Sequence, residues 1–579
     1  MAWDYIAPLR DMRFVIERVL EAPASWQACP AFAEVDTDTA GAVIGEAARF
    51  ASQVLLPLNA VGDREGCRVD AEGRVKTPTG FRAAYQAFVE GGWPALPCAP
   101  EWGGQGLPLL LDAALREMLS ACNHGWNMYP DLLHGAYETL KAHGSDELKS
   151  RYLARLVSGE HLAAMALTEP QAGSDLGQLR TRAELQPDGS LCVTGQKIFI
   201  SGGDSDMADN VLHLVLCRLP DAPPGSKGIS LALLPRVRPD GTRNAVFVDG
   251  LEHKMGIHGS ATCAMRYEAA SGWLVGEPNR GLAAMFLMMN SARLHVGLQG
   301  LGHQEMATQN AARHAAERVQ GGRPIADHAA VRHLLLRSQA RLEGQRVIAY
   351  RAALALDEAA HHADADQRAA AARLAALLTP VVKACCTEQG FESASRALQV
   401  FGGYGYVRET GIEQTLRDVR IAMVYEGTNE IQAIDLVQRK LLADGGATAL
   451  TLLAMADEEA LACLGESDLA DLGEALAAQT RLARDGLARL AQAAAADREL
   501  PLQLAGDVMA GIEHLLLGWA FAASARAAGA EPDIAWAQAK IERMRYGMQW
   551  IVPQSAVHWQ RVQAVASALP GAAVIAAAA

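Results

Sequence analysis

A block of short alternating runs set between long helical stretches constrains this chain more than any other feature. From about Ala163 the texture changes: LCVTGQKIFIS (191–201), NVLHLVLCRL (210–219), KGISLALLPR (227–236) and ATCAMRYEAASGWLVG (261–276) follow one another, separated by Asp-Gly, Pro-Pro-Gly and His-Gly turns. Two-residue alternation between turn signals predicts strands. On both sides apolar residues recur at three- and four-residue spacing, which predicts amphipathic helices. The expected fold class is therefore multidomain α with a central β domain. The divisions are 1–40, an N-terminal extension with a short helix after Pro8; 41–162, an N-terminal helical domain; 163–280, the β domain; 281–444, a helical bundle; and 445–579, an extra C-terminal helical domain. Within these, 62–79 reads as an excursion loop, and GWPALPCAPEWGGQGLP (92–108) has too many prolines and glycines for regular structure. Helix is expected over 109–120 and 132–156. Pro380 marks the start of a new helix, because the residue before proline disfavours helix, and PGAAVIAAAA (570–579) reads as a frayed tail.

Composition excludes several classes. The 579 residues are half apolar, ample for a large core, and the formal net charge of −14 argues against a nucleic-acid partner. Apolar runs such as GLAAMFLMM (281–289) fall short of the roughly 18 residues a membrane span needs. The N-terminus carries Asp4, Asp11 and Glu17 among its apolar residues, unlike a signal peptide. Ten cysteines without a CxxC pair suit buried thiols in a reduced compartment, so a cytoplasmic location is expected. No HExxH, Walker A, EF-hand or intact GxGxxG pattern occurs, and no metal is expected.

Several stretches carry candidate chemistry. In VYEGTNEIQ (424–432), Gly427 follows Glu426 and lets the chain turn sharply close to a ligand, so the carboxylate is a candidate general base at a loop-to-helix junction. Taken alone it reads rather as a surface turn residue than as a base. MALTEPQAGSDL (165–176) sets glycine, serine and threonine where helical and β blocks meet, suited to a polar ligand edge or to an ordinary junction turn. In KIFISGG (197–203), alternation puts Phe199 and Ser201 on one strand face, against a flat ring or within a core. Arg293, inside an apolar helix, and Arg318, before VQGGRPI, are candidate phosphate clamps or ordinary helical arginines. SRALQVFGGYGYVRETGIEQTLRDVR (395–420) brings Gln399 and the glycines 402, 403 and 405 together, for close backbone approach or a helix cap.

These stretches, in this order, resemble the acyl-CoA dehydrogenase superfamily along nearly the whole chain. TEPQAGSDL is similar to that family's flavin-binding signature, and QVFGGYGY with RDVRIAMVYEGTNEIQ to its second signature. APLRDMRF, the loop around GDREGC and the helical block after 445 resemble a longer bacterial branch, which includes fatty acyl-CoA and 3-methylmercaptopropionyl-CoA dehydrogenases. The resemblance implies noncovalent FAD between the β domain and the bundle, completed by a neighbouring subunit of a homo-oligomer, in the first place a dimer. It implies that Leu167, Thr168, Gly173 and Ser174 face flavin or acyl-CoA, that Phe199 and Ser201 lie near the flavin ring, and that Arg318, Gln399, Gly402 and Gly403 hold the FAD pyrophosphate and adenosine. Thr428 and Glu430 match the family's cofactor-facing GT-x-E/Q element. Ser174, Arg293, Tyr425 and Gly427 are assigned to substrate. Met165 stands where many members carry an aromatic residue.

The implied reaction is α,β-dehydrogenation of an acyl-CoA, expected to be a medium- to long-chain fatty acyl-CoA, to the trans-2-enoyl-CoA. Glu426 takes the α-proton, the β-hydride passes to flavin N5, and electron-transferring flavoprotein accepts the electrons. A base raised from about 4.3 towards neutrality by burial suits that work. Some family members place the base on the helix equivalent to 281–296, but GLAAMFLMMNSARLHV holds no aspartate or glutamate. The alternatives are a 3-methylmercaptopropionyl-CoA dehydrogenase, an acyl-CoA oxidase and a noncatalytic acyl-CoA-binding protein. The basic, tryptophan-bearing run at 534–563 suits a lipid-lying helix or a covered domain face, and the second is preferred.

Overall fold

The computed structural model describes residues 3–565, so the tail read as PGAAVIAAAA lies outside it. The chain forms two compact units. One holds residues 3–7, 42–295 and 413–421; the other holds 8–41, 296–412 and 422–565. The helices used below are α1 (Leu9–Phe14), α2 (Leu109–Asn127), α3 (Leu133–His143), α4 (Asp146–Val157), α5 (Gly281–Glu317), α6 (Ala329–His361), α7 (Ala365–Val381), α8 (Thr387–Phe401), α9 (Asn429–Asp435), α10 (Ala447–Leu464), α11 (Ala470–Ala496), α12 (Leu500–Ala528), α13 (Ile534–Trp550) and α14 (Ser555–Ala564).

The first unit contains β1 (His161–Ala166), β2 (Arg182–Leu185), β3 (Leu191–Ser201), β4 (Asn210–Cys217), β5 (Ser230–Pro235), β6 (Val246–Leu251) and β7 (Thr262–Val275). They form one 7-stranded sheet in the order β1-β4-β5-β7-β3-β2, with β6 paired to β7. Only β1 and β4 run parallel. The four strands expected from alternation are present with slightly trimmed ends. β1 escaped notice because HLAAMA is alanine-rich, a poor strand former that burial in the sheet overrides. The excursion at 62–79 is in part a small hairpin, Arg68–Val69 against Val75–Lys76.

Helix α2 runs on to Asn127, with a break at Asn123 (φ −160°, ψ 84°). The Asn123 side chain accepts from Trp126 N–H at 3.0 Å and so caps a fresh turn. Trp126 fills the centre of an aromatic cluster with Phe50, Tyr85 and Phe88.

In the second unit, Pro380 does not begin a helix. It lies inside α7, and the wide π turn Val382–Cys386 follows immediately. Widening the backbone there is one way a helix passes a proline that lacks an N–H and crowds the preceding carbonyl. α5 and α8 pack with their backbones almost touching: a Cβ on Gly300 would sit 2.4 Å from the Cys386 carbonyl oxygen. At the far end the His314 and Phe401 rings stack 4.3 Å apart.

The extension, the bundle and the C-terminal helices share one charge network. Asp11, on α1, is salt-bridged to Arg346 of α6 at 2.6 Å and to Lys540 of α13. Lys540 also meets Glu343 at 2.8 Å, as does Arg543. Burial alone would raise the Asp11 carboxyl, but Lys540 and Arg346 outweigh it and hold it at about 2. The basic run at 534–563 therefore spends its charge internally, since Arg545 pairs with Asp471 and Arg561 with Asp507. α12, the most apolar of these helices, is buried along most of its length against α10, α11, α13 and α14.

Asp11→Asn removes the shared anion from two buried cations and is expected to cost about 2–3 kcal/mol, read as a lower urea midpoint. Because the folded carboxyl titrates below its ordinary value, its contribution is complete above about pH 4 and is lost as pH falls towards about 2. The wild-type advantage over Asp11→Asn should shrink through that window. An advantage that stays constant down to pH 2 contradicts the assignment.

Candidate active site

In the first unit the TEPQAGSD segment lies beside β3. Ile198 N–H donates to the Thr168 carbonyl at 2.9 Å, and Lys197 Nζ donates to the Leu167 carbonyl at 2.9 Å and to Glu169 at 2.8 Å. Lys197 is 0% exposed. Glu169 also accepts from Arg180 N–H, Thr181 N–H and the Thr181 hydroxyl at 2.6, 3.0 and 2.7 Å. Burial alone would raise this carboxyl; Lys197 first, and then the Thr181 and Arg180 donors, hold it at about 2 instead. The structure thus brings Leu167 and Thr168 next to Phe199. Gly173 and Ser174 follow on an exposed loop, and a Cβ built on Gly173 meets nothing within 4 Å.

Strict alternation fails at Phe199. Between Lys197 and Ile200 the pairing with β7 slips, and Phe199 takes a left-handed φ of 59°. An aromatic residue rarely adopts that conformation, which costs about 1–3 kcal/mol. The bulge buries Lys197 and turns Phe199 out, 59% exposed, while Ser201 is half-buried. The slip separates Lys197 from the residues after it, while Phe199 and Ser201 still flank the buried Ile200.

Arg293 lies buried in α5, two residues before His295. The His295 ring sits between Asp131 (Nδ1 to Oδ1, 3.1 Å) and Asp112 (Nε2 to Oδ2, 3.6 Å), and Arg116 bonds Asp112 at 3.3 Å. This buried network ties the start of α5 to α2. Burial raises the Asp131 carboxyl, but His295 and Arg116 more than offset it and lower it overall.

In the second unit, Glu426 occupies a half-buried turn with φ 56°, and Gly427 follows with φ 87°. A Cβ on Gly427 would lie 2.9 Å from Gln432 Nε2, so the position is restricted by space as well as by backbone. The Tyr425 hydroxyl donates to Gln299 of α5, and the Thr428 hydroxyl caps α9 by accepting from Ile431 N–H at 3.4 Å. Glu430 is exposed in the first turn of α9. Beneath the turn lies Lys383, also 0% exposed, donating to the Gly427 carbonyl at 2.7 Å and to Asn429 Oδ1 at 3.0 Å.

Elsewhere in that unit Arg318 lies over the Tyr404 ring at 5.7 Å, one residue past the exposed Gly402 and Gly403. Gln399 is exposed on the last turn of α8, and Cβ atoms on Gly402 and Gly403 would meet nothing within 4 Å. Arg318 and the Gly402–Gly403 segment therefore share one surface.

Sequence reasoning missed Glu169, Lys197, Lys383 and Gln432. The available signal was a charged or polar residue inside an otherwise apolar run, as in QKIFIS and VVKACC.

Comparison with known proteins places these features in a family. Three family profiles match in order: acyl-CoA dehydrogenase, N-terminal domain (residues 37–160), middle domain (164–270) and C-terminal domain (279–442). The chain is 39% identical over 574 residues to the 3-methylmercaptopropionyl-CoA dehydrogenase of Ruegeria pomeroyi, covering 96% of this chain and 97% of that protein. It is 35% identical to the broad-specificity linear acyl-CoA dehydrogenase FadE5 of Mycobacterium tuberculosis, over 72% of each chain. In fold it is similar to Caenorhabditis elegans ACDH-11, solved with C11-CoA, at a TM-score of 0.81 and 20% identity, over 94% of this chain and 91% of that one. The chain belongs to the acyl-CoA dehydrogenase family and is an FAD-dependent oxidoreductase acting on acyl-CoA.

Proposed function

We propose that this protein desaturates a short, straight acyl-CoA between its α and β carbons, with Glu426 as the base and 3-methylmercaptopropionyl-CoA as the specific substrate. The observation that carries the base assignment is the backbone at Glu426: a charged residue held at φ 56° beside a glycine at φ 87°. Such strain persists where the surroundings over-determine it, and it concentrates at functional sites. The absence of any carboxylate from 281–296 supports the same choice.

The residues present fit a bound flavin. In the first unit Phe199 turns an aromatic face outward from the strand whose Lys197 and Ile198 bond the Leu167 and Thr168 carbonyls, and Gly173 leaves open space. In the second, taken by itself, Gly402 and Gly403 leave open space for close approach. Leu167, Thr168, Gly173, Ser174, Phe199 and Ser201 are assigned to the flavin, as are Arg318, Gln399, Gly402, Gly403, Thr428 and Glu430. FAD supplies the acceptor for the β-hydride. The Glu426 carboxylate takes the α-proton, and the Glu426 backbone N–H hydrogen-bonds the thioester oxygen as negative charge builds there. Ser174, Tyr425 and Gly427 are assigned to the acyl-CoA substrate, and Arg293 to its CoA moiety. Electron-transferring flavoprotein as acceptor and a homodimer as the assembly belong to the same reading.

The substrate proposal is supported by the match to the Ruegeria enzyme, which spans the N-terminal extension and the C-terminal helices as well as the three family domains. A thioether sulfur replaces one methylene with little change of shape, so a pocket that takes this thioester also takes pentanoyl-CoA with modest discrimination.

Glu426→Gln is expected to keep FAD and bind acyl-CoA while slowing single-turnover flavin reduction by about 10³-fold; bleaching at the wild-type rate removes Glu426 as base. In a panel run with an artificial acceptor, kcat/KM should be highest for 3-methylmercaptopropionyl-CoA and pentanoyl-CoA. A maximum at dodecanoyl-CoA or longer replaces the substrate proposal with a fatty acyl-CoA one. Turnover in air without added acceptor, with peroxide released, would assign an oxidase instead.

A further inference from the structure

The two peptide carbonyls that follow the proposed base are both pinned from within the second unit. The Glu426 carbonyl accepts from Gln432 Nε2 at 3.0 Å. The Gly427 carbonyl accepts from Lys383 Nζ at 2.7 Å and, more weakly, from Gln432 Nε2 at 3.4 Å. Lys383 comes from the π turn Val382–Cys386 between α7 and α8. The same turn is joined to the loop a second time. Lys383 Nζ donates to Asn429 Oδ1 at 3.0 Å, and Asn429 Nδ2 donates to the Ala384 carbonyl at 3.1 Å.

These contacts explain how two successive left-handed residues persist. A non-glycine residue in that region is strained against its ordinary conformation, because its Cβ crowds the following carbonyl. A hydrogen bond from a charged donor is stronger than one between neutral groups, so the bond from Lys383 can offset the strain at Glu426. Released from it, Glu426 returns to negative φ, a backbone rotation of roughly 100° or more that redirects its Cα–Cβ bond. The carboxylate then no longer points where the left-handed turn aims it.

We propose that Lys383 is a positioning residue for the α-proton abstraction: by holding the Gly427 carbonyl, with Gln432 holding that of Glu426, it locks the left-handed Glu426–Gly427 pair that aims the base. This rests on Glu426 being the base. A purely structural lysine would affect folding and cofactor retention instead, and the two roles have different signatures.

The test compares wild type, Lys383→Met, Gln432→Met and Glu426→Gln as FAD-loaded full chains. FAD content, Tm, substrate Kd and the rate of anaerobic flavin bleaching by acyl-CoA are measured for each. Lys383→Met should keep FAD content and Kd within about two-fold of wild type while bleaching about 10²-fold more slowly, the loss expected for a reactive group misplaced by about 1 Å. Gln432→Met should shift the same quantity in the same direction, and it decides the matter if Lys383→Met does not accumulate. Wild-type bleaching per bound flavin in both variants, with Glu426→Gln inactive, overturns the positioning role and leaves the base assignment standing. Wild-type bleaching by Glu426→Gln overturns the base assignment and this proposal with it.

Discussion

Two buried lysines set the conformation of the segments on which the proposed chemistry depends. Lys197 lies under the Leu167–Glu169 backbone in one unit, and Lys383 lies under the Gly427 carbonyl in the other; each is 0% exposed. An ammonium is costly to remove from water unless charged or carbonyl partners replace its hydration. In each case the replacement comes from a loop carbonyl, so the loop and the lysine constrain one another. Phe199 and Glu426, the non-glycine residues held at φ 59° and 56° in these two places, are the conformations that result. Loops of this kind ordinarily belong to the least stable parts of a fold. Here a charge-assisted bond anchors each of them to a buried element.

The same principle operates at larger scale in the second unit. The N-terminal extension already buries Met12, Phe14, Val15 and Ile16 within the second unit. Asp11 fixes it by meeting Arg346 from the bundle and Lys540 from the C-terminal block. The Phe14 and Trp536 rings pack at 5.0 Å beside that pair, so the ionic contact sits against an apolar one. The extension and the extra helical block are thereby parts of a single packing solution. The basic residues of 534–563 are absorbed by it rather than left as a free charged face.

Much of this was legible in the sequence because periodicity and turn chemistry are local. Alternation located β3, β4, β5 and β7, and three- to four-residue spacing located the long helices. The failures are equally local. Alternation along the whole strand fails between Lys197 and Ile200, where a bulge inserts as β7 opposes β3, and no pattern within KIFIS announces it. The rule that proline starts a helix misread Pro380, which lies inside α7 with fifteen helical residues (365–379) before it. Glu426 and Gly427 were visible as a glycine turn, but the left-handed backbone at Glu426 was not. That conformation is imposed by Lys383 and Gln432, whose approach is a tertiary event. Glu169 and Lys197 were passed over because each is individually an ordinary charged residue, and only the fold places them 2.8 Å apart.

If buried Lys383 holds the proposed base in its left-handed turn, removing the ammonium must change the backbone there. The most direct measurement is a crystal structure of the FAD-loaded Lys383→Met variant, set beside one of the wild type under the same conditions. Glu426 should keep φ near 56° in the wild type and relax to negative φ in the variant, with the Gly427 carbonyl rotated away from the Val382–Cys386 turn. A variant in which Glu426 and Gly427 keep both left-handed angles would contradict that role for Lys383.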